Sequence, residues 1–150
     1  MSTTEMVVRR SITVNASPQH AFAVFTEQLA DWWPLETHSM KAPDGRPDTA
    51  IFEQRVGGRL YERTGDDEHL WGYATAWEPP SRIGLDWRVN PKNPPTDIEV
   101  TFTPEGEGTR VEVVHSGWER FGENAQESFE SYNSGWMPVL EGFRRVADEA

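Results

Sequence analysis

The sequence predicts a single α+β domain, a curved antiparallel sheet wrapped around a long C-terminal helix, with short helices near the N-terminus. Three observations predict it. From Ala50 to His115, short β-prone runs alternate with turns rich in Gly, Pro and Asp. From about Asn124 to Ala147 the period changes: Phe129, Tyr132, Trp136, Val139, Leu140, Phe143 and Val146 recur every three or four residues, with charges on much of the other face. The 150 residues carry no internal repeat, low-complexity tract or linker, which fits one domain with its own core.

Met6 to Val14 reads as a first strand through Val8, Ile12 and Val14. Ser17-Pro18 then supplies an N-cap and a proline at the first helical position, and Phe22, Phe25 and Leu29 continue at helical spacing to about Ala30. Asp31-Trp32-Trp33-Pro34 ends that helix, because the residue before a proline avoids helical geometry. Residues 34–49 look like a loop with a turn at Pro43-Asp44-Gly45. Ala50 to Val56 and Arg59 to Thr64 flank Gly57-Gly58, which reads as a two-residue hairpin turn. Gly65-Asp66-Asp67 turns into a strand from His69 to Trp77, and Pro79-Pro80-Ser81 separates it from Ile83 to Val89. A polar link from Asn90 to Pro95 precedes strands at Ile98 to Thr103 and Thr109 to His115, joined through Pro104 to Gly108. The final amphipathic helix spans some six turns and is expected to kink at Pro138, which removes a hydrogen bond to Ser134. It alone is long enough to cover the apolar face of such a sheet.

Composition narrows the function. With 14 basic and 25 acidic residues the net charge is −11, which disfavours nucleic-acid backbones and anionic membrane surfaces. Cysteine is absent, so disulfides, thiol catalysis and thiolate metal sites are excluded. No run approaches a membrane span and Met1-Ser2-Thr3-Thr4-Glu5 lacks the start of a signal peptide, so a cytoplasmic location is expected. His20, His38, His69 and His115 lie on separate elements without metal-ligand spacing; neither a metal nor a cofactor is expected. There is no nucleophile elbow, phosphate loop or dinucleotide fingerprint.

The arrangement of Ser17-Pro18, Arg55-Val56-Gly57-Gly58-Arg59, Trp71-Gly72, Trp77-Glu78-Pro79-Pro80-Ser81-Arg82-Ile83, Trp87 and Gly135-Trp136 resembles the activator of heat-shock protein 90 ATPase homologue-like family. That family lies within the START-related SRPBCC superfamily. The likeness runs from about Arg9 to Val146 and implies a helix-grip fold, often with an apolar cavity between sheet and last helix. Across the superfamily this fold binds lipids, hormones and polyketides, and some branches are cyclases. The chaperone-binding domain of the eukaryotic namesake has no room in 150 residues, so co-chaperone activity is not implied.

Seven tryptophans carry the main functional signal. Strict alternation puts Trp71, Tyr73 and Trp77 on one face of their strand; Ile83, Leu85, Trp87 and Val89 share a face of the next, and Trp136 and Phe143 point inward from the last helix. Such rings serve equally to fill a core or to line a pocket. Glu53 or Glu62 is placed to enter the interior, where a carboxylate needs a partner; the alternative is a solvated face of ion pairs with Arg55 and Arg59. The leading expectation is a pocket for a small hydrophobic or aromatic molecule, walled by Trp71, Tyr73, Trp87, Trp136 and Phe143 and oriented by Glu53 or Glu62. A second is a cyclase or hydrolase acting on such a ligand, pairing one of these carboxylates with His69, His115 or Tyr73 as acid and base. A third is an interaction module, chaperone-linked or a weak homodimer, with an exposed patch around Trp32, Trp33 and Trp118.

Overall fold

The computed structural model describes residues 6–34, 47–88 and 94–148. Seven strands form one antiparallel sheet: β1 (Val8–Val14), β2 (Thr49–Phe52), β3 (Arg59–Thr64), β4 (Asp67–Glu78), β5 (Arg82–Trp87), β6 (Thr96–Glu105) and β7 (Gly108–Ser116). Their order is β1-β7-β6-β5-β4-β3-β2, so β1 crosses to the far edge and β2 to β7 run as a meander. The sheet curls around α3 (Ala125–Asp148), with α1 (Pro18–Glu27) and α2 (Leu29–Trp32) closing one end. This is the expected helix grip. The turn at Pro43-Asp44-Gly45, His38, and the stretch from Val89 to Asn93 lie outside the described residues.

Local chemistry explains the boundaries. The Ser17 side chain accepts the His20 backbone N–H at 3.1 Å, and Pro18 begins α1. Gln28 interrupts helical geometry, so the single expected helix becomes two, the second ending at Trp33, whose backbone is extended. Gly57-Gly58 is not a two-residue hairpin. The loop runs from Glu53 to Gly58 and is tightened when the Glu53 carboxylate accepts the Arg59 backbone N–H at 2.8 Å. Gly57, at φ +81°, supplies the left-handed step of the turn closed by Gly58 N–H on Arg55 C=O. A 3₁₀ segment, Trp118–Asn124, leads into α3, which continues through Pro138 to Asp148. Beside that proline the carbonyl of Asn133 accepts the Arg10 side chain at 3.1 Å, tying α3 to β1.

The inner face of β5, β6 and β7 follows simple alternation, burying Ile83, Leu85, Trp87, Ile98, Val100, Phe102, Val111, Val113 and His115. β4 does not. Leu60 pairs with Gly72 and Tyr61 with Leu70, leaving Trp71 extra; Ala74 pairs with Leu85 and Ala76 with Gly84, leaving Thr75 extra. Each bulge shifts the side-chain phase by one residue. Trp71, the extra residue of the first bulge, and Trp77, beyond the second, both face inward, whereas Tyr73 lies between the bulges and is turned out, 37% exposed. The expectation that Trp71, Tyr73 and Trp77 share a face therefore fails at Tyr73. Asp86 secures the inversion: its carboxylate accepts the Tyr73 backbone N–H at 2.7 Å.

Gly142 sets how closely α3 approaches α2. A Cβ there would stand 2.4 Å from the Trp32 carbonyl oxygen, whereas one at Gly135 would meet nothing within 4 Å. Gly142→Ala is expected to cost about 1–3 kcal/mol by forcing the helices apart, and Gly135→Ala to gain about 0.5–1 kcal/mol from helix propensity. Urea unfolding of the two variants checks this; equal effects would show that the α2–α3 approach is not limiting.

Candidate functional site

The interior between sheet and α3 holds two joined aromatic groups. In the first, Phe25, Trp32 and Phe143 pack together at centroid distances of 4.9 to 5.4 Å. Phe143 thus belongs to the packing of α1, α2 and α3. In the second, the Trp33 ring lies 5.1 Å from Trp71, 6.0 Å from Trp87 and 5.8 Å from Trp136. These four indoles come from the end of α2, from β4, from β5 and from α3, and all are buried.

Polar groups in this second cluster are few and tied to the rings. The indole N–H of Trp71 donates to Glu62 Oε1 at 2.7 Å, and Glu62 is fully buried. Trp87 donates to the Tyr132 hydroxyl at 3.1 Å. Trp136 donates to His115 Nδ1 at 3.1 Å, and His115 Nε2 lies 2.7 Å from the Thr96 hydroxyl. Because an indole N–H can only donate, Nδ1 must be the acceptor, so the His115 proton sits on Nε2 and points at Thr96. Trp118 adds a bond from its N–H to the His115 carbonyl at 3.0 Å.

Electrostatics match this geometry. Burial pushes His115 down to about 3, which keeps the ring neutral. Burial also raises the Tyr132 phenol above its ordinary value, partly offset by the Trp87 hydrogen bond. Glu53 lies elsewhere, at the outer end of the β2–β3 loop. Hydrogen bonds from Arg59 hold its carboxyl below the usual range, and Arg59 also reaches Glu68 at 3.0 Å.

Of the seven expected site residues the structure brings together Glu62, Trp71, Trp87 and Trp136. It leaves Glu53 in a surface ion pair, Tyr73 on the outer face beneath the Arg88 guanidinium, and Phe143 in the neighbouring packing cluster. The site also contains Trp33, His115, Tyr132 and Thr96. Tyr132 was visible in principle as the i−4 neighbour of Trp136 on the apolar stripe of α3; Thr96 left no signal. Both ring nitrogens of His115 are engaged, and neither partner is a carboxylate. His69 and Tyr73 are exposed, so the expected Glu–His or Glu–Tyr acid–base pairs are not formed by those residues. Trp32, Trp33 and Trp118 are buried within the chain, which removes the exposed aromatic patch expected of an interaction module. Among the described residues no cluster of His, Asp and Glu is arranged to hold a metal, and no helix is long and apolar enough to cross a membrane.

Residues 15–148 match the family described as Activator of Hsp90 ATPase homolog 1-like protein. The chain belongs to that family. Among solved structures it is similar to Txn09, an anthrahydroquino-γ-pyrone synthase solved as a complex, at 37% identity, TM-score 0.64, and 93% and 96% coverage of the two chains. It is similar to CalC, a self-sacrificing resistance protein from Micromonospora echinospora, at 28% identity, TM-score 0.72, and 95% and 94% coverage. The Aha1 dimer from Colwellia psychrerythraea, at 16% identity, TM-score 0.68, and 95% and 96% coverage, shares the fold. The chain has no match among curated protein sequences.

The neutral His115 has a measurable consequence. Its value in the fold, about 3, lies below the 6.5 of an unperturbed histidine, so the unfolded chain takes up a proton that the folded chain refuses. The stabilisation is complete above pH 6.5 and is lost as pH falls from there towards 3. Wild-type stability is expected to fall more steeply than that of His115→Gln, by up to about 1.4 kcal/mol per pH unit in this window. Gln retains an acceptor for Trp136 and a donor for Thr96 but does not titrate. Parallel urea-unfolding profiles for the two proteins would contradict this assignment.

Proposed function

We propose that this member of the family binds a planar aromatic small molecule among Trp33, Trp71, Trp87 and Trp136, between the sheet and α3. The observation that carries the reading is the convergence of four buried indoles, Trp71, Trp87 and Trp136 around Trp33, with the buried Glu62 carboxyl accepting the Trp71 N–H. A core that needed only filling is more cheaply built from aliphatic side chains, without indole N–H groups and a carboxyl to satisfy. The acidic surface, at net charge −11, fits a small-molecule partner rather than a nucleic acid or a membrane. The name of Txn09 points the same way, since a synthase of fused aromatic rings implies a pocket for them.

The magnitudes agree with ligand recognition. Burying about 300 Å² of apolar ligand surface gains roughly 7 kcal/mol before association costs, and each favourable ring pair adds about 0.5–1.5 kcal/mol. Binding in the tens of micromolar or tighter follows. Glu62 supplies an acceptor that orients a hydroxyl on the ring system.

Catalysis is the second reading, favoured by the 37% identity to a named synthase. Here Glu62 takes the proton of a ligand hydroxyl, the oxygen closes onto an electron-poor carbon of the same molecule, and the proton returns to the neighbouring carbon. No oxidant or cofactor is required.

Calorimetric titration with 1,8-dihydroxyanthraquinone, supported by native mass spectrometry, tests the proposal. Saturable 1:1 binding is expected, weakened about tenfold or more in Trp87→Leu through the loss of ring contact and area. Absence of saturable binding to this probe, together with a native mass equal to the bare chain, would overturn the binding reading. Turnover lost in Glu62→Gln while binding persists would establish the catalytic one.

A further inference from the structure

The acceptors that satisfy the buried indoles differ in what they bring with them. Trp32 and Trp118 donate to the backbone carbonyls of Val24 and His115, and Trp71 donates to the Glu62 carboxyl. Trp136 donates to His115 Nδ1, and the ring passes its own proton on from Nε2 to the Thr96 hydroxyl. Trp87 is satisfied differently, by the Tyr132 hydroxyl at 3.1 Å. A hydroxyl that accepts a bond still has a proton of its own to place.

Among the described residues nothing accepts the Tyr132 proton. The phenol ring packs against Trp118 at 5.0 Å and His115 at 5.2 Å, which holds it in place. With the Trp87 N–H on one side of the oxygen, the proton is confined to the remaining directions. Burial raises the phenol above its ordinary value, so that proton stays on the oxygen at neutral pH. Thr96 also ends a chain begun by an indole, but it is 1% exposed. Tyr132 is only partly buried and adjoins Trp87, one of the four clustered indoles.

We infer that the Tyr132 hydroxyl is a second orienting group of the site, donating its proton to a carbonyl oxygen of the ligand, so that the site selects planar aromatic molecules bearing a ketone or quinone oxygen. This deepens the ligand-binding reading and rests on it. Trp87 takes part twice, once through its ring and once through the N–H that fixes the direction of the Tyr132 donor. A site built to give a hydrogen bond discriminates against an analogue that lacks the acceptor, because the donor is then left unpaired.

The experiment compares 1,8-dihydroxyanthraquinone with 1,8-dihydroxyanthracene, which has the same three rings and hydroxyls but no carbonyl. Calorimetric affinities are measured for wild type and Tyr132→Phe. The variant also leaves the Trp87 N–H without its acceptor, and that effect is common to both ligands. Expected is a loss of about three- to tenfold for the quinone and little for the anthracene. Infrared difference spectra supply the second readout. One quinone carbonyl is tied up by the ligand's own two hydroxyls, and the stretch of the other is expected to fall on binding to wild type and to stay high in Tyr132→Phe. Replacing Tyr132 by 3-fluorotyrosine keeps ring and hydroxyl while strengthening the donor; it guards against loss of fold and is expected to lower the stretch further. Equal losses for the two ligands, an unshifted carbonyl in wild type, or a shift indifferent to both replacements would overturn the inference, with ligand binding by the wild type left standing. Absence of binding of both probes to wild type would remove the proposed function and this inference with it.

Discussion

An indole taken out of water must still find an acceptor for its N–H, and this requirement organises the interior. Five of the seven tryptophans meet it with bonds to Val24, Glu62, Tyr132 and His115, the last through both its backbone oxygen and its Nδ1. These bonds connect β3 to β4, β5 to α3, β7 to α3, and the 3₁₀ segment to β7. Non-directional burial would allow α3 to slide along the curved sheet; the indole bonds define its rotation and axial position. His115 carries the largest share, since it engages β6, α3 and the 3₁₀ segment from a single residue of β7.

The same interior separates two kinds of carboxylate. Glu53 and Glu62 are nine residues apart on neighbouring stretches of one hairpin, yet one ends in a surface network with Arg55, Arg59 and Glu68 and the other is buried against Trp71. Exposed ion pairs of the first kind contribute little to stability because water screens them. A buried carboxyl is costly in isolation and is retained where hydrogen bonds or a ligand repay its desolvation. Charge on the outer face favours solubility, whereas Glu62, among the described residues the one buried carboxyl, is the group that the proposed ligand would meet.

The meander, the N-cap at Ser17 and the long last helix were legible in the sequence, because turn residues and hydrophobic period are local signals. The phase of β4 was not. Nothing in His69 to Trp77 announces that Trp71 and Thr75 are extra residues; their bulges depend on how β3 and β5 pair on either side. Tyr73 was misplaced for that reason alone. Glu53 and Glu62 were separable only once the β2–β3 loop was known to run over six residues, with Glu53 folded back onto Arg59. Phe143 was correctly placed inside but in the other cluster, since helical period gives a face and not a neighbour.

The close indole array also makes the protein a single optical object. With Trp33 within 6.0 Å of three other rings, and Trp71 5.8 Å from Trp87, excitation absorbed by any of them passes to the others before it is emitted. Emission then comes from whichever ring lies lowest in energy, and a quencher touching one ring darkens the whole group. The near-ultraviolet spectrum of this chain accordingly reads the state of its interior collectively, not residue by residue.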